Sequence, residues 1–219
     1  MIEISTSILT VKEENATKTF YNLETAGTDY YHIDIMDGKF VEKDTQKMMF
    51  DYSNTIKQIS NIPLDVHLMV EDVKENIDRY IPLNPLFITF HYEACKNDDE
   101  VIEIINYIKE SGIKPAISIK PNTSMDKILK FLPMLNMILV MTVEPGKGGQ
   151  KLIPECLEKA SKLKEYIEAN NLDTYVEIDG GVNKETIEDV RKSNIDIAVA
   201  GSAIINADDF KEAIKELKY

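Results

Sequence analysis

The sequence predicts an α/β protein built as a single (β/α)8 barrel, the TIM-barrel architecture, over residues 1–219. Three observations predict it. Short apolar strands alternate with amphipathic helices eight times with no long linker, and such alternation builds a parallel sheet with right-handed crossovers. Eight units in 219 residues favour a closed barrel over an open sheet. No shift in composition marks a domain boundary, and 43% hydrophobic residues suffice for one sizeable core.

Residues 2–9 read as the first strand. Residues 11–26 follow as a helix, with Ala16, Phe20, Leu23 and Ala26 at helical spacing and Gly27 as its stop. The second strand is 30–36, and 39–49 is polar and irregular. A helix near 52–60 leads to the third strand at 64–69. Residues 71–81 form a helix ended near Pro82, and 86–91 the fourth strand with His91 at its end. A helix at 98–110 closes on Ser111-Gly112 before the fifth strand at 114–119. Residues 121–124 cap a helix over 125–132. The apolar run 137–143 suits a buried parallel strand. A glycine-rich loop at 145–149 leads into a helix at 154–169. The last units are strand 174–179 with helix 184–192, and strand 196–200 with helix 208–217. The Glu- and Lys-rich helices present solvated outer faces.

The bulk numbers exclude some functions. The formal charge is −13, from 25 basic and 38 acidic residues, so phosphate repulsion argues against nucleic acid as a partner. A small anionic substrate sees only its local site and stays open. Cys95 and Cys156 are the only cysteines, without CxxC spacing, and read as reduced thiols of a cytoplasmic protein. Residues 1–10 lack the pattern of a signal peptide, and no apolar run approaches the roughly 18 residues of a membrane span.

Three strands end in chemistry. Alternation sets His32, Asp34 and Met36 on one face of the second strand and Tyr31, Ile33 and Ile35 on the other. The third strand repeats this with Asp65, His67 and Met69, and the seventh with Glu177 and Asp179. Buried charge is costly unless paired or bound to metal. In such barrels the functional groups sit at the C-terminal ends of the strands, where His32, Asp34, His67 and Asp179 fall. Two imidazoles and two carboxylates suit one divalent ion of the Zn, Fe, Mn or Co type. Met36, Met69 and Met141 lie at the same level, as barrel core or as an apolar collar that dries the site.

Glycines follow the sixth, seventh and eighth strands, in Gly146-Lys147-Gly148-Gly149, Gly180-Gly181 and Gly201-Ser202. Glycine lets backbone N–H groups approach a phosphate, and the last loops of these barrels often hold one. Ser7 ends the first strand, where its hydroxyl suits either a sugar oxygen or nearby backbone. His91 and Lys120 are placed alike, and the sequence assigns them no role.

These residues resemble the ribulose-phosphate 3-epimerase family. The matching segments are His32-Ile33-Asp34-Ile35-Met36-Asp37-Gly38-Lys39-Phe40-Val41, Leu64-Asp65-Val66-His67-Leu68-Met69-Val70 and Met141-Thr142-Val143-Glu144-Pro145-Gly146-Lys147-Gly148-Gly149-Gln150. Glu177-Ile178-Asp179-Gly180-Gly181-Val182 and Ala200-Gly201-Ser202-Ala203 add to them, so the resemblance covers nearly the whole chain. It implies a barrel of the ribulose-phosphate-binding type that interconverts D-ribulose 5-phosphate and D-xylulose 5-phosphate in the pentose phosphate pathway. It implies a metal on His32, Asp34, His67 and Asp179, with Asp34 and Asp179 as acid and base on opposite faces of the sugar. Substrate contacts fall at Ser7, His67, Asp179 and the three glycine loops, and a homo-oligomer is expected.

Inverting a carbon beside a ketone needs one proton removed and another returned on the opposite face, through an enediolate, and two opposed carboxylates can do both. A metal on the enediolate oxygens stabilises their charge but also weakens carboxylate bases, which a drier pocket offsets. This chain departs from the family pattern at Thr6, at Glu42 to Lys47, at Lys120 and at Lys147. All lie around the site and leave the expected ligands intact. They leave the sugar open, with D-allulose 6-phosphate as the alternative substrate and a non-catalytic phosphosugar-binding barrel as the alternative to an enzyme.

Overall fold

A computed structural model describes residues 1–219. Eight parallel strands close into one barrel in sequence order. They are β1 (Glu3–Ser7), β2 (Tyr30–Met36), β3 (Leu64–Met69), β4 (Phe87–His91), β5 (Lys114–Ile119), β6 (Met137–Met141), β7 (Tyr175–Asp179) and β8 (Ile197–Ala200). The outer helices are α1 (Ala16–Ala26), α2 (Gln46–Ile59), α3 (Val73–Tyr80), α4 (Asp98–Glu110), α5 (Pro154–Ala169), α6 (Ile187–Lys192), the short α7 (Ser202–Ile205) and α8 (Phe210–Lys218).

Several stretches differ from the sequence expectation: α1 starts at Ala16 rather than at residue 11, after a 3-10 turn at Glu13–Asn15, β6 ends at Met141 rather than at 143, and α7 was not expected. The helix expected at 125–132 is a pair of 3-10 turns, Met125–Lys127 and Leu129–Met134, with Pro133 inside the second. Proline lacks the N–H that an α-helix needs there and clashes with the preceding turn. Helix α2 begins at Gln46, inside the stretch that looked irregular. Its first turn is polar at Gln46 and Lys47, which hid the apolar spacing of Met49, Tyr52 and Ile56 behind it.

The strand alternation sorts two environments. Tyr31, Ile33, Ile35, Val66, Leu68, Ile88, Phe90, Ile138 and Ile178 point outward into one large apolar shell shared with the helices. Their neighbours point inward. A separate cluster of Tyr30, Phe87, Ala116, Met137 and Ile197 plugs the N-terminal end of the barrel. Above it the interior turns polar, with Ser5, His32, Asp65, Thr89, Ser118 and Glu177 all buried. Parallel register aligns these rows, pairing His32 with Asp65, Asp34 with His67, Met36 with Met69 and Met141 with Asp179.

The outer shell is tightly keyed at α1. Phe20 is fully buried and meets the rings of Tyr31 and Tyr52 edge-on at 6.1 and 5.3 Å. Phe20→Ala is expected to cost about 3–5 kcal/mol by leaving a cavity. Urea unfolding followed by circular dichroism should show that loss, and a change below about 1 kcal/mol would contradict the packing described.

Candidate active site

The site is assembled at the C-terminal ends of β1, β2, β3 and β7. His32 and Asp34 come from β2, His67 from β3 and Asp179 from the last residue of β7. One ligand atom from each of the four lies within 4.8 Å of all the others. His32 Nε2 faces Asp34 Oδ1 at 3.3 Å and Asp179 Oδ2 at 3.9 Å. His67 Nδ1 faces the same oxygens at 3.5 and 3.7 Å. These two nitrogens are buried and make no hydrogen bond of good geometry. Two orphaned imidazole nitrogens converging on two carboxylates fit the donor set and spacing of a divalent transition metal.

The supporting contacts are specific. Asp65 Oδ2 accepts from Ser5 Oγ at 2.8 Å and lies 2.6 Å from His32 Nδ1. That turns the other nitrogen of His32 toward the cluster, as is usual behind a metal-binding histidine. Ser7 Oγ donates to Asp34 Oδ2 at 2.7 Å, a side-chain partner outside the two options, sugar oxygen or backbone, that the sequence left for that hydroxyl. Thr45 ties down the end of β2, since its Oγ1 donates to the Asp34 carbonyl and accepts from the Met36 N–H. Behind His67 stands His91, with Nε2 to Nε2 at 3.0 Å and the rings nearly parallel. Glu93 stands behind His91 in turn, 3.2 Å from its Nδ1.

The carboxyls are driven apart. Burial works to raise Asp34, but the positive charge of His32 beside it outweighs burial and holds Asp34 well below the carboxylate range. Asp179 goes the other way. Burial and then the negative charge of Asp34 push it from 3.8 to about 6. Glu177, buried beneath, is raised well above its ordinary value by burial and then by Asp65, and its oxygens have no hydrogen-bond partner. Burial pushes His91 down to about 4 against the pull of Glu93.

A pocket of about 280 Å³ opens above the four ligands, near the small end of the range for ligand sites. Its walls include every expected contact residue except the two histidines. Ser7, Asp34, Asp179, the collar of Met36, Met69 and Met141, and all three glycine loops line it. His32 and His67 lie beneath, fully buried. The loops are built for close approach. Gly180 has φ +125° and a Cβ there would meet Val143 Cγ2 at 2.4 Å; Gly181 has φ +71° and a Cβ would meet the Leu152 nitrogen at 2.5 Å. The N–H groups of Gly148, Gly149, Gly181 and Gly201 donate to nothing within the protein, so they are free for an anion. Lys147 is exposed at the rim.

The sequence placed Asp65 and Glu177 on inward faces without giving them partners, and it left His91 and Lys120 without roles. Lys120 stands over the Phe40 ring at 4.1 Å, and that ring packs on His91 at 4.8 Å. Glu93 escaped notice, although Glu two residues after a strand-end His was the available signal.

Residues 3–205 match the ribulose-phosphate 3 epimerase family. The chain belongs to this family of isomerases. A ribulose-phosphate 3-epimerase of Methanocaldococcus jannaschii is 40% identical over all of this chain and 90% of its own length. One from Helicobacter pylori is 36% identical, over 99% of this chain and 97% of its own. Among solved structures, a 3-hexulose-6-phosphate synthase superposes with a TM-score of 0.71 over 99% of this chain and 98% of its own, at 16% identity, a likeness of fold.

The electrostatics of this epimerase-family site make a direct prediction. In the metal-free protein, carboxyl carbon NMR should place the Asp179 midpoint at about 6 with Asp34 ionised far below. Asp34→Asn should lower the Asp179 midpoint by removing a like charge. Because folding raises this pKa, Asp179 contributes less stability as pH rises from its ordinary 3.8 through about 6. An Asp179 midpoint at or below 3.8 would contradict this electrostatic account.

Proposed function

We propose that this protein interconverts D-ribulose 5-phosphate and D-xylulose 5-phosphate by moving the C3 proton from one face of the sugar to the other. The observation that carries the reading is the pair Asp34 and Asp179. They come from β2 and β7, converge on one pocket floor and have pKa values driven in opposite directions. A pair of carboxyls so separated suits one to act as base and the other as acid. The roles exchange when the reaction runs backwards.

The rest of the site serves that transfer. Ser7 orients the Asp34 carboxylate through its hydrogen bond. Met36, Met69 and Met141 are nearly inaccessible and keep bulk water from the reacting carbon. The free N–H groups of the glycine loops hold the phosphate, with Lys147 adding charge at the rim, and this fixes C3 between the carboxylates. His32, Asp34, His67 and Asp179 would hold one divalent ion of the Zn, Fe, Mn or Co type, which when bound would supply positive charge where the sugar oxygens become anionic. The relatives' name, ribulose-phosphate 3-epimerase, supports a ribulose phosphate as substrate and C3 as the inverted carbon. With that substrate goes a step of the pentose phosphate pathway, and a cytoplasmic homo-oligomer remains the expectation.

The test is C3 exchange in D₂O. Metal-replete protein with D-ribulose 5-phosphate should incorporate deuterium at C3 and form D-xylulose 5-phosphate, and chelation should abolish both. Asp34→Asn and Asp179→Asn should each lower turnover by about 10²–10⁴-fold while circular dichroism stays native. Turnover of D-allulose 6-phosphate in place of the pentose would move the substrate. Silence on both sugars with several divalent metals would leave a phosphosugar-binding barrel.

A further inference from the structure

We infer that Glu93, which does not reach the pocket, is a positioning residue that sets the tautomer of His67 through His91. The inference rests on the metal reading of the site, and its consequence is a bare nitrogen presented to the ion.

The proton count follows from the geometry. His67 and His91 face each other through Nε2 and Nε2 at 3.0 Å. One must donate and the other accept, and neither ring reveals which by itself. The far side of His91 decides it. Its Nδ1 lies 3.2 Å from Glu93 Oε2. The other oxygen of Glu93 accepts from the Lys120 N–H at 2.8 Å and from the Thr123 hydroxyl. A carboxylate held by two donors can only accept from a third, so His91 carries its proton on Nδ1. A neutral imidazole has one N–H, which leaves His91 Nε2 bare. His67 must therefore carry its proton on Nε2 and donate it. His67 Nδ1 is then unprotonated, and that is the atom facing Asp34 and Asp179 at 3.5 and 3.7 Å with no hydrogen bond of its own.

The two histidines of the cluster are thus set in different ways. A carboxylate, Asp65, contacts His32 directly. His67 has no carboxylate behind it, and a second imidazole carries the instruction across. Phe40 covers the open face of His91 at 4.8 Å, with Lys120 on Phe40, so the imidazole step of the relay is shielded from water while the Glu93 side chain stays about one-fifth exposed. His91 is fully buried. A role for Glu93 limited to tying the loop after β5 would leave the two ring tautomers unspecified.

The chain has three histidines, so a full-length sample labelled with ¹⁵N at histidine gives three readable rings. Long-range ¹H–¹⁵N correlation at about pH 8, above the ordinary imidazole pKa, reports each tautomer. The expected result in the metal-free protein is a proton on Nδ1 of His91 and on Nε2 of His67. A proton on Nε2 of His91, or a neutral His67 protonated on Nδ1, overturns the inference. Glu93→Gln is the informative variant. Lys120 N–H and the Thr123 hydroxyl retain the amide oxygen, which turns the NH₂ group to His91 Nδ1. Both rings should then switch tautomer, and zinc affinity should fall by about 10–100-fold with native circular dichroism. Unchanged tautomers and affinity in a folded Glu93→Gln protein also overturn it. Should that variant fail to fold, the wild-type spectrum still decides. Failure of the wild-type chain to bind zinc would sink the metal reading instead, while the tautomers would still test the relay.

Discussion

The constraint on which the rest of the molecule depends is the placing of ionisable groups inside a barrel closed to water. His32, Asp34, Asp65, His67, His91 and Glu177 are all nearly inaccessible. An unpaired buried charge costs several kcal/mol, so these groups are tolerable only as a connected set. The pairing comes from register. His32 stands level with Asp65 and Asp34 level with His67 on adjacent strands. A slip of one residue in β2 would turn His32 and Asp34 toward the helices and bring Tyr31, Ile33 and Ile35 into the barrel. The apolar shell that receives those three residues therefore holds the charges in place too.

Much of this was legible in the sequence because period-2 alternation is an unambiguous signal when one face is Ile and Tyr and the other His and Asp. The four-residue cluster follows from it, while the barrel follows from the eight strand–helix alternations and the anion loops from the glycines after the last three strands. Partners across strands were not legible. Asp65 sits on the right face, but its contact with His32 depends on register, which a single chain does not display. His91 and Glu93 form a relay only because β4 lies beside β3 and the loop after β5 folds back on Glu93. The 3-10 turns after β5 were missed because the expected helix was stopped short of Pro133, whose effect reaches back into the preceding turn. The early start of α2 was missed because its first turn is polar, although Thr45 at its N-cap also anchors the end of β2.

The two halves of the pocket are made by different means. The half over β1 to β4 is a matter of side chains, with Ser7, Thr45, Asp65 and His91 each orienting a neighbour. The half over β6 to β8 is a matter of backbone. Thr142 Oγ1 donates to the Gly180 carbonyl at 2.6 Å, while Thr186 Oγ1 and Asn183 Nδ2 donate to the Gly181 carbonyl. These bonds occupy carbonyls and leave N–H groups exposed, which gives that half an affinity for anions without a buried cation. The other half, crowded with carboxylates, would repel the same anion. A charged ligand with one anionic end has a single orientation in such a pocket.

The apolar plug of Tyr30, Phe87, Ala116, Met137 and Ile197 has a consequence for traffic. It makes the barrel a cul-de-sac. A molecule that enters over the glycine loops has no second exit, and its successor cannot arrive until it has backed out through the same doorway. Entry and departure then share one route, as suits a vessel whose contents differ before and after only in the handedness of one carbon.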